Sequence, residues 1–184
     1  MKVDQFYMSA MLELLKPNMQ EAAVPGRAAG IVRVPTKAEL DAYFKESLAG
    51  GGYDPSAHWC GIFATYLLRK VGVRCHWAMS KGIADDSDGA DYEVATGPEA
   101  QQGLQPGDVV IREPQHHHII VMEPVASGVI PCVEGNAGGV GHPLLAMNWA
   151  ANARNNTVGN VVKRYRIKEK MGPHWSARRL VARA

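Results

Sequence analysis

Three kinds of side chain that together can cleave an acyl bond occur in this chain in a workable order. Cys60 follows the turn-like Ser56-Ala57-His58-Trp59 and opens the apolar run Gly61-Ile62-Phe63-Ala64. A cysteine at the start of a helix faces unpaired N–H groups and the positive end of the helix dipole, and both favour the thiolate. A nucleophilic thiol also needs a base, usually an imidazole, and a polar group to hold that base. The concentrated source of imidazole is His116-His117-His118. In an extended strand side chains alternate faces, so His116 and His118 share one side and His117 points to the other. His118 leads directly into Ile119-Ile120-Val121-Met122, which anchors it at the edge of a core. Glu134 and Asn136 end the next apolar run and share a strand face, so either could accept from the second nitrogen of His118. Taken singly, each feature has an ordinary explanation. A cysteine on an apolar helix face usually packs in the core. A histidine triplet is commonly a surface turn or an adventitious metal site, and Glu-Gly-Asn is commonly a turn. Their joint order favours a catalytic site.

The elements that must position these residues follow from periodicity. Residues 4–16 carry Tyr7, Met8, Met11, Leu12 and Leu15 at helical spacing, with Asp4 as a cap and Pro17 as the stop. Residues 17–34, rich in Pro, Gly and Ala, read as an extended arm. Thr36-Lys37-Ala38-Glu39 fits a capping box, opening a helix with the stripe Leu40, Tyr43, Phe44 and Leu48 that Gly50-Gly51-Gly52 ends. Asp54-Pro55-Ser56 offers the cap and first-turn proline of a third helix. Along it Cys60, Phe63, Ala64, Leu67, Leu68 and Val71 form one buried face, and Gly72 stops it. Residues 74–103 read as mixed and loop-rich, with Asp85, Asp86, Asp88 and Asp91 close together. The period then changes. Strands are expected over 109–112, 118–125 and 129–134, with Ser127-Gly128 as a tight turn and 135–139 closing the run. A helix over 143–153 and a last strand over 161–167 follow. The tail from Lys168 carries five Lys or Arg against one Glu and reads as a solvated or docked surface segment. Helices first and an antiparallel meander second make an α+β layout.

With 184 residues, 46% hydrophobic and 21% charged, the chain suits one folded domain. A net charge of +2 argues against nucleic acid as a partner. No apolar run approaches the length of a membrane span. Met1-Lys2-Val3-Asp4-Gln5-Phe6 lacks the apolar core of a signal peptide. Synthesis in the cytoplasm and any export by a signal-less route are therefore expected. Three widely spaced cysteines, with no Cys-x-x-Cys, fit neither a disulfide scaffold nor structural zinc. Cys75 and Cys132 are expected as buried thiols, with a bridge between them as the alternative.

Trp59-Cys60-Gly61-Ile62-Phe63-Ala64, Leu104-Gln105-Pro106-Gly107-Asp108-Val109-Val110, His118-Ile119-Ile120-Val121 and Val133-Glu134-Gly135-Asn136 come in an order that resembles the CHAP and NlpC/P60 cysteine amidases and peptidases. The resemblance covers roughly residues 53–167. It leaves 1–52 as a helical extension and 168–184 as a basic tail of one catalytic domain spanning 1–184. It implies a papain-like fold, N-terminal helices packed on an antiparallel meander. It also implies Cys60 as nucleophile, His118 as base, and Glu134 or Asn136 as the group that orients it. Tyr53, Trp59 and His117 are the candidate substrate contacts, Tyr53 doubling as an oxyanion donor, and no metal or other cofactor is called for. The sequence departs from the family where His116 and His117 stand in place of the usual Gly or Ser-Gly, which makes His117 a rival base. Residues 137–159 read as an insertion.

Family members mostly cleave peptide or amide bonds in bacterial cell-wall peptidoglycan. A wall hydrolase without a signal peptide needs delivery, as an antibacterial toxin injected into a rival's periplasm or as part of a phage lysis apparatus. An injected toxin implies a cognate immunity protein. Two other classes stay open. The same framework supports acyl transfer, deamidation or cleavage of non-wall proteins, and the three histidines could build a metal-binding module instead.

Overall fold

The capping box forms as its spacing predicts. Thr36 Oγ1 accepts from the Glu39 N–H at 3.3 Å, and Glu39 Oε2 accepts from the Thr36 N–H at 2.7 Å. The helix it opens is one of three in a computed structural model that describes residues 3–16, 19–22, 30–33, 35–50, 52, 58–78, 81–86, 102–112, 117–137, 160–167 and 175–178. The helices among these residues are α1 (Val3–Leu14), α2 (Lys37–Glu46) and α3 (Cys60–Lys70). The strands are β1 (Met19–Ala22), β2 (Gly30–Arg33), β3 (Cys75–Ala78), β4 (Gly82–Asp85), β5 (Val109–Arg112), β6 (His117–Val121), β7 (Val129–Ala137), β8 (Asn160–Ile167) and β9 (Trp175–Arg178). Seven of them form one antiparallel sheet in the order β1-β2-β8-β7-β6-β5-β9, and β3 pairs with β4 in a separate hairpin. The fold is α+β.

Alternation along the central strands divides the sheet into two faces. Val109, Ile111, Ile120 and Val133 join the cluster built with the helices, together with Phe63, Leu67 and Leu68 of α3. Val110, Ile119, Val121, Ile130 and Cys132 join Leu104 in a smaller cluster. α3 is buried all round its first nine residues, not on one face, because α1, α2 and the β3–β4 hairpin cover what the sheet does not. Gly135 allows the closest approach of helix and sheet. A Cβ there would lie 2.6 Å from Phe63 Cβ and 2.7 Å from a ring carbon of Trp59.

Several local expectations are corrected. The buried face of α1 is Ala10 and Leu14, with Tyr7 and Met11 packed against the core, whereas Leu12 and Leu15 are exposed. The helix is turned so that Glu13 is buried against Arg33, which the apolar periodicity could not register. α2 ends at Ser47 and Leu48, where Leu48 takes φ 60° and is exposed, before the glycines are reached. The 17–34 arm contains β1 and β2, the loop-rich 74–103 stretch contains β3 and β4, and the tail contains β9, which pairs with β5. β6 stops at Val121, and β7 runs past Glu134 through a bulge in which Asn136 adopts φ 52°. Ser127 and Gly128 do make the tight turn, both at positive φ (51° and 71°), as a two-residue hairpin of the I′ class requires. The 143–153 helix, the Asp54-Pro55-Ser56 cap, Tyr53, His116, Asp88, Asp91, Gly138, Gly139 and most of the 137–159 insertion lie outside the described residues.

Candidate active site

Cys60 is the first residue of α3. Its N-cap is Trp59, whose side chain makes no capping bond to the first-turn N–H groups. The next turn closes normally, with the Phe63 N–H on the Trp59 carbonyl at 2.9 Å. Trp59 itself is 1% exposed and packs edge-on against Phe63. It is therefore a core residue that seats the helix, not the substrate contact expected of it.

The partner strand is set by the Pro-Gly-Asp turn. Gly107 takes φ 94°, and Asp108 Oδ2 accepts from the Gln105 N–H at 2.8 Å. The Gly107 N–H then donates to Val121 O, and the Val121 N–H to Asp108 O, at 2.8 and 2.9 Å. This fixes β6 against β5 and brings its first residues to the N-terminus of α3. His118 lies on the helix-facing side, 4% exposed, with Nδ1 3.6 Å from Cys60 Sγ. That is within reach of a sulfur–nitrogen hydrogen bond.

Glu134 and Asn136 do not orient His118. Glu134 is 1% exposed and lies with Ile130 and Cys132 on the opposite face of β7. There Oε2 meets His117 Nε2 at 2.9 Å, and Cys132 Sγ donates to Oε1 at 3.5 Å. Asn136 is half-buried and turned by the bulge, and no bond joins it to His118. The carboxylate thus serves the rival histidine. His117, first in β6, also acts on Cys60 electrostatically, so two imidazoles favour the thiolate and one of them is backed by a carboxylate.

The electrostatics follow from this arrangement. Burial pushes the Cys60 thiol up, but the bonds and charges of His117 and His118 outweigh it and bring it from 9.0 down to about 5. Burial likewise works against charge on His117, but bonds to Cys60 and Glu134 outweigh it and raise the ring from 6.5 to about 9. Near neutral pH the sulfur is therefore a thiolate and His117 an imidazolium. A thiolate at an uncapped helix start, with donors on two sides, is equipped for nucleophilic attack.

One contributor was not foreseen. Trp77, on β3, lies against His118 with ring centroids 5.5 Å apart and planes at 76°. The only sequence signal for it is Gly61, a helix breaker placed inside an apolar helix next to the cysteine.

None of the three cysteines is in a disulfide. Among the described residues no three His, Cys, Asp or Glu side chains are grouped to hold a metal ion, and no helix is long and apolar enough to cross a membrane. A groove of about 360 Å³ lined by Arg69, Gly72, Val73, Arg74 and Asp86 lies at the far end of α3 from Cys60. No protein-family model matches the chain, and no curated protein or solved structure matches it either.

Proposed function

We propose that the protein is a cysteine hydrolase with a papain-like arrangement, cleaving peptide or amide bonds in bacterial peptidoglycan. The observation that carries the reading is the contact between Cys60 Sγ and His118 Nδ1 at 3.6 Å, at the uncapped start of α3. The thiolate attacks the carbonyl carbon, and the carbonyl π electrons move to oxygen, where the first-turn N–H groups receive the charge. As the C–N bond breaks, His118, carrying the proton that the thiol gave up to it, donates that proton to the leaving amine. Neutral His118 then takes a proton from water, whose oxygen attacks the thioester and releases the acid and the thiolate. His117, held charged by Glu134, keeps a positive charge beside the sulfur through the cycle. The carboxylate therefore acts on the nucleophile through His117, not on the base.

Peptidoglycan as substrate, delivery to a rival's periplasm or cell wall as a secreted antibacterial toxin, and an immunity protein that plugs the site rest on the sequence resemblance. Digestion of purified peptidoglycan, followed by mass spectrometry, tests the chemistry. New amine and acid termini are expected from the wild type and not from Cys60→Ala or His118→Ala. Full hydrolysis by Cys60→Ala sinks the proposal. Products carrying an acceptor other than water indicate acyl transfer in its place. Lysis on expression with an added periplasmic signal, and none without it, is expected of a wall target. Equal toxicity in the cytoplasm counts against one.

A further inference from the structure

His118 presents an unusual problem. The carboxylate that ordinarily orients a catalytic imidazole is here bonded to His117 at 2.9 Å. A ring that must aim Nδ1 at a sulfur still needs something to fix its plane. That something comes from the β3–β4 hairpin.

Trp77 meets His118 edge-to-face, and both rings lie over Gly61. A Cβ at that position would stand 2.2 and 2.3 Å from Cζ3 and Cη2 of Trp77 and 3.0 Å from Cε1 of His118. Any side chain at residue 61 would displace the indole and crowd the imidazole, so the missing side chain next to Cys60 makes room for the pair. The backbone that carries the indole is also held. The Trp77 main-chain N–H donates to Ser47 O at the end of α2 at 2.8 Å, and Trp77 pairs with Ile83 across the hairpin. The ring is half-buried, whereas His118 beneath it is 4% exposed. Among the described residues, the titratable groups around the imidazole are Cys60 on α3, His117 beside it on β6, and Glu134 on β7 acting through His117. On β3 itself, His76 is bonded to Asp86.

We propose that Trp77 is a positioning residue of the cysteine site: resting on Gly61, its indole holds the His118 ring with Nδ1 toward Cys60. The assignment rests on the reading of Cys60 as a reactive thiolate, but its test does not depend on the substrate. Rates of alkylation by iodoacetamide are measured across pH, with the labelled cysteine located by mass spectrometry. Trp77→Leu keeps apolar bulk and removes the ring. It is expected to raise the pH midpoint of Cys60 labelling by about one unit, which leaves about tenfold less thiolate below the midpoint. Trp77→Phe keeps a ring and is expected to retain most of the wild-type profile. Gly61→Ala leaves the indole in the chain but displaces it, and is expected to shift the midpoint as Trp77→Leu does. A low wild-type midpoint, left unchanged by Trp77→Leu or by Gly61→Ala, overturns the role of Trp77 alone. An ordinary-thiol profile in the wild type overturns the cysteine-hydrolase reading, and this assignment with it.

Discussion

Two clusters of buried ionisable side chains lie a few residues apart in this core, and they are built on opposite principles. In one, Arg33 is fully buried and its guanidinium binds Glu13 at 2.8 Å, Glu39 at 2.8 Å and the Tyr43 hydroxyl at 2.6 Å. Tyr43 also bonds Glu13, and Tyr66 donates to it at 3.2 Å. Burial, then the neighbouring Glu13 carboxylate, pushes the Tyr43 hydroxyl far above the usual phenol range, so it stays neutral. The cluster ties α1, β2, α2 and α3 together through short bonds, with only Arg33 Nε left buried without a partner among the described residues. At the other, the sulfur and His118 stand 3.6 Å apart, and charge is displaced from its ordinary place, with Cys60 low and His117 high. A closely bonded network of this kind holds a fold. A looser one that stores a thiolate beside an imidazolium is poised to move a proton.

Substitutions should separate the two. Cys60→Ala is expected to lower hydrolysis about ten-thousandfold, measured by product formation, with the protein still folded by circular dichroism. Arg33→Ala removes the fully buried cation from Glu13, which keeps only the half-exposed Lys16, and is expected to cost about 3–5 kcal/mol in urea unfolding. The pH profile of Cys60 alkylation in the folded fraction should not move. If Arg33→Ala shifts that profile, the clusters are one coupled system.

The two clusters should differ in pH response as well. Cys60 has a depressed folded-state pKa, so its contribution to stability is full above 9.0 and lost as pH falls toward about 5. His117 is raised, so its contribution is full below 6.5 and lost as pH rises through about 9. The two slopes oppose between 6.5 and 9, and only the cysteine slope remains between 6.5 and 5. Acidification through that lower window is therefore expected to weaken the wild type more than Cys60→Ala, as urea midpoints would show. Equal slopes would mean the thiol is not ionised in the fold. The smallest effect expected is that of Thr36→Ala. It removes the cap of α2 beside the Arg33 cluster, costs about 1 kcal/mol, and leaves alkylation unchanged.

What the sequence made legible was whatever is specified locally. The α2 capping box, the apolar succession of α3 and the strands around Val109, Ile119 and Val133 follow from short-range pattern, whereas the pairing of Cys60 with His118, 58 residues apart, is expected from the order of the motifs and the resemblance they carry. Long-range pairing hid the rest. The four-residue strands β1, β2 and β9 lack a telling alternation, and they are strands because β8 offers an edge to β2, β2 to β1 and β5 to β9. Glu134 was matched to the wrong histidine because strand parity depends on the register Ile120↔Val133, which no local pattern reveals. Trp77 was invisible for the same reason. Its hairpin had to exist before the glycine beside Cys60 acquired a meaning.

Titration of the thiolate by its ultraviolet absorbance, wild type against Cys60→Ala, addresses the reactive cluster most directly. An inflection near pH 5 in the wild type that vanishes in Cys60→Ala is the expected result. Identical traces, rising only near the ordinary thiol value of 9.0, would contradict it.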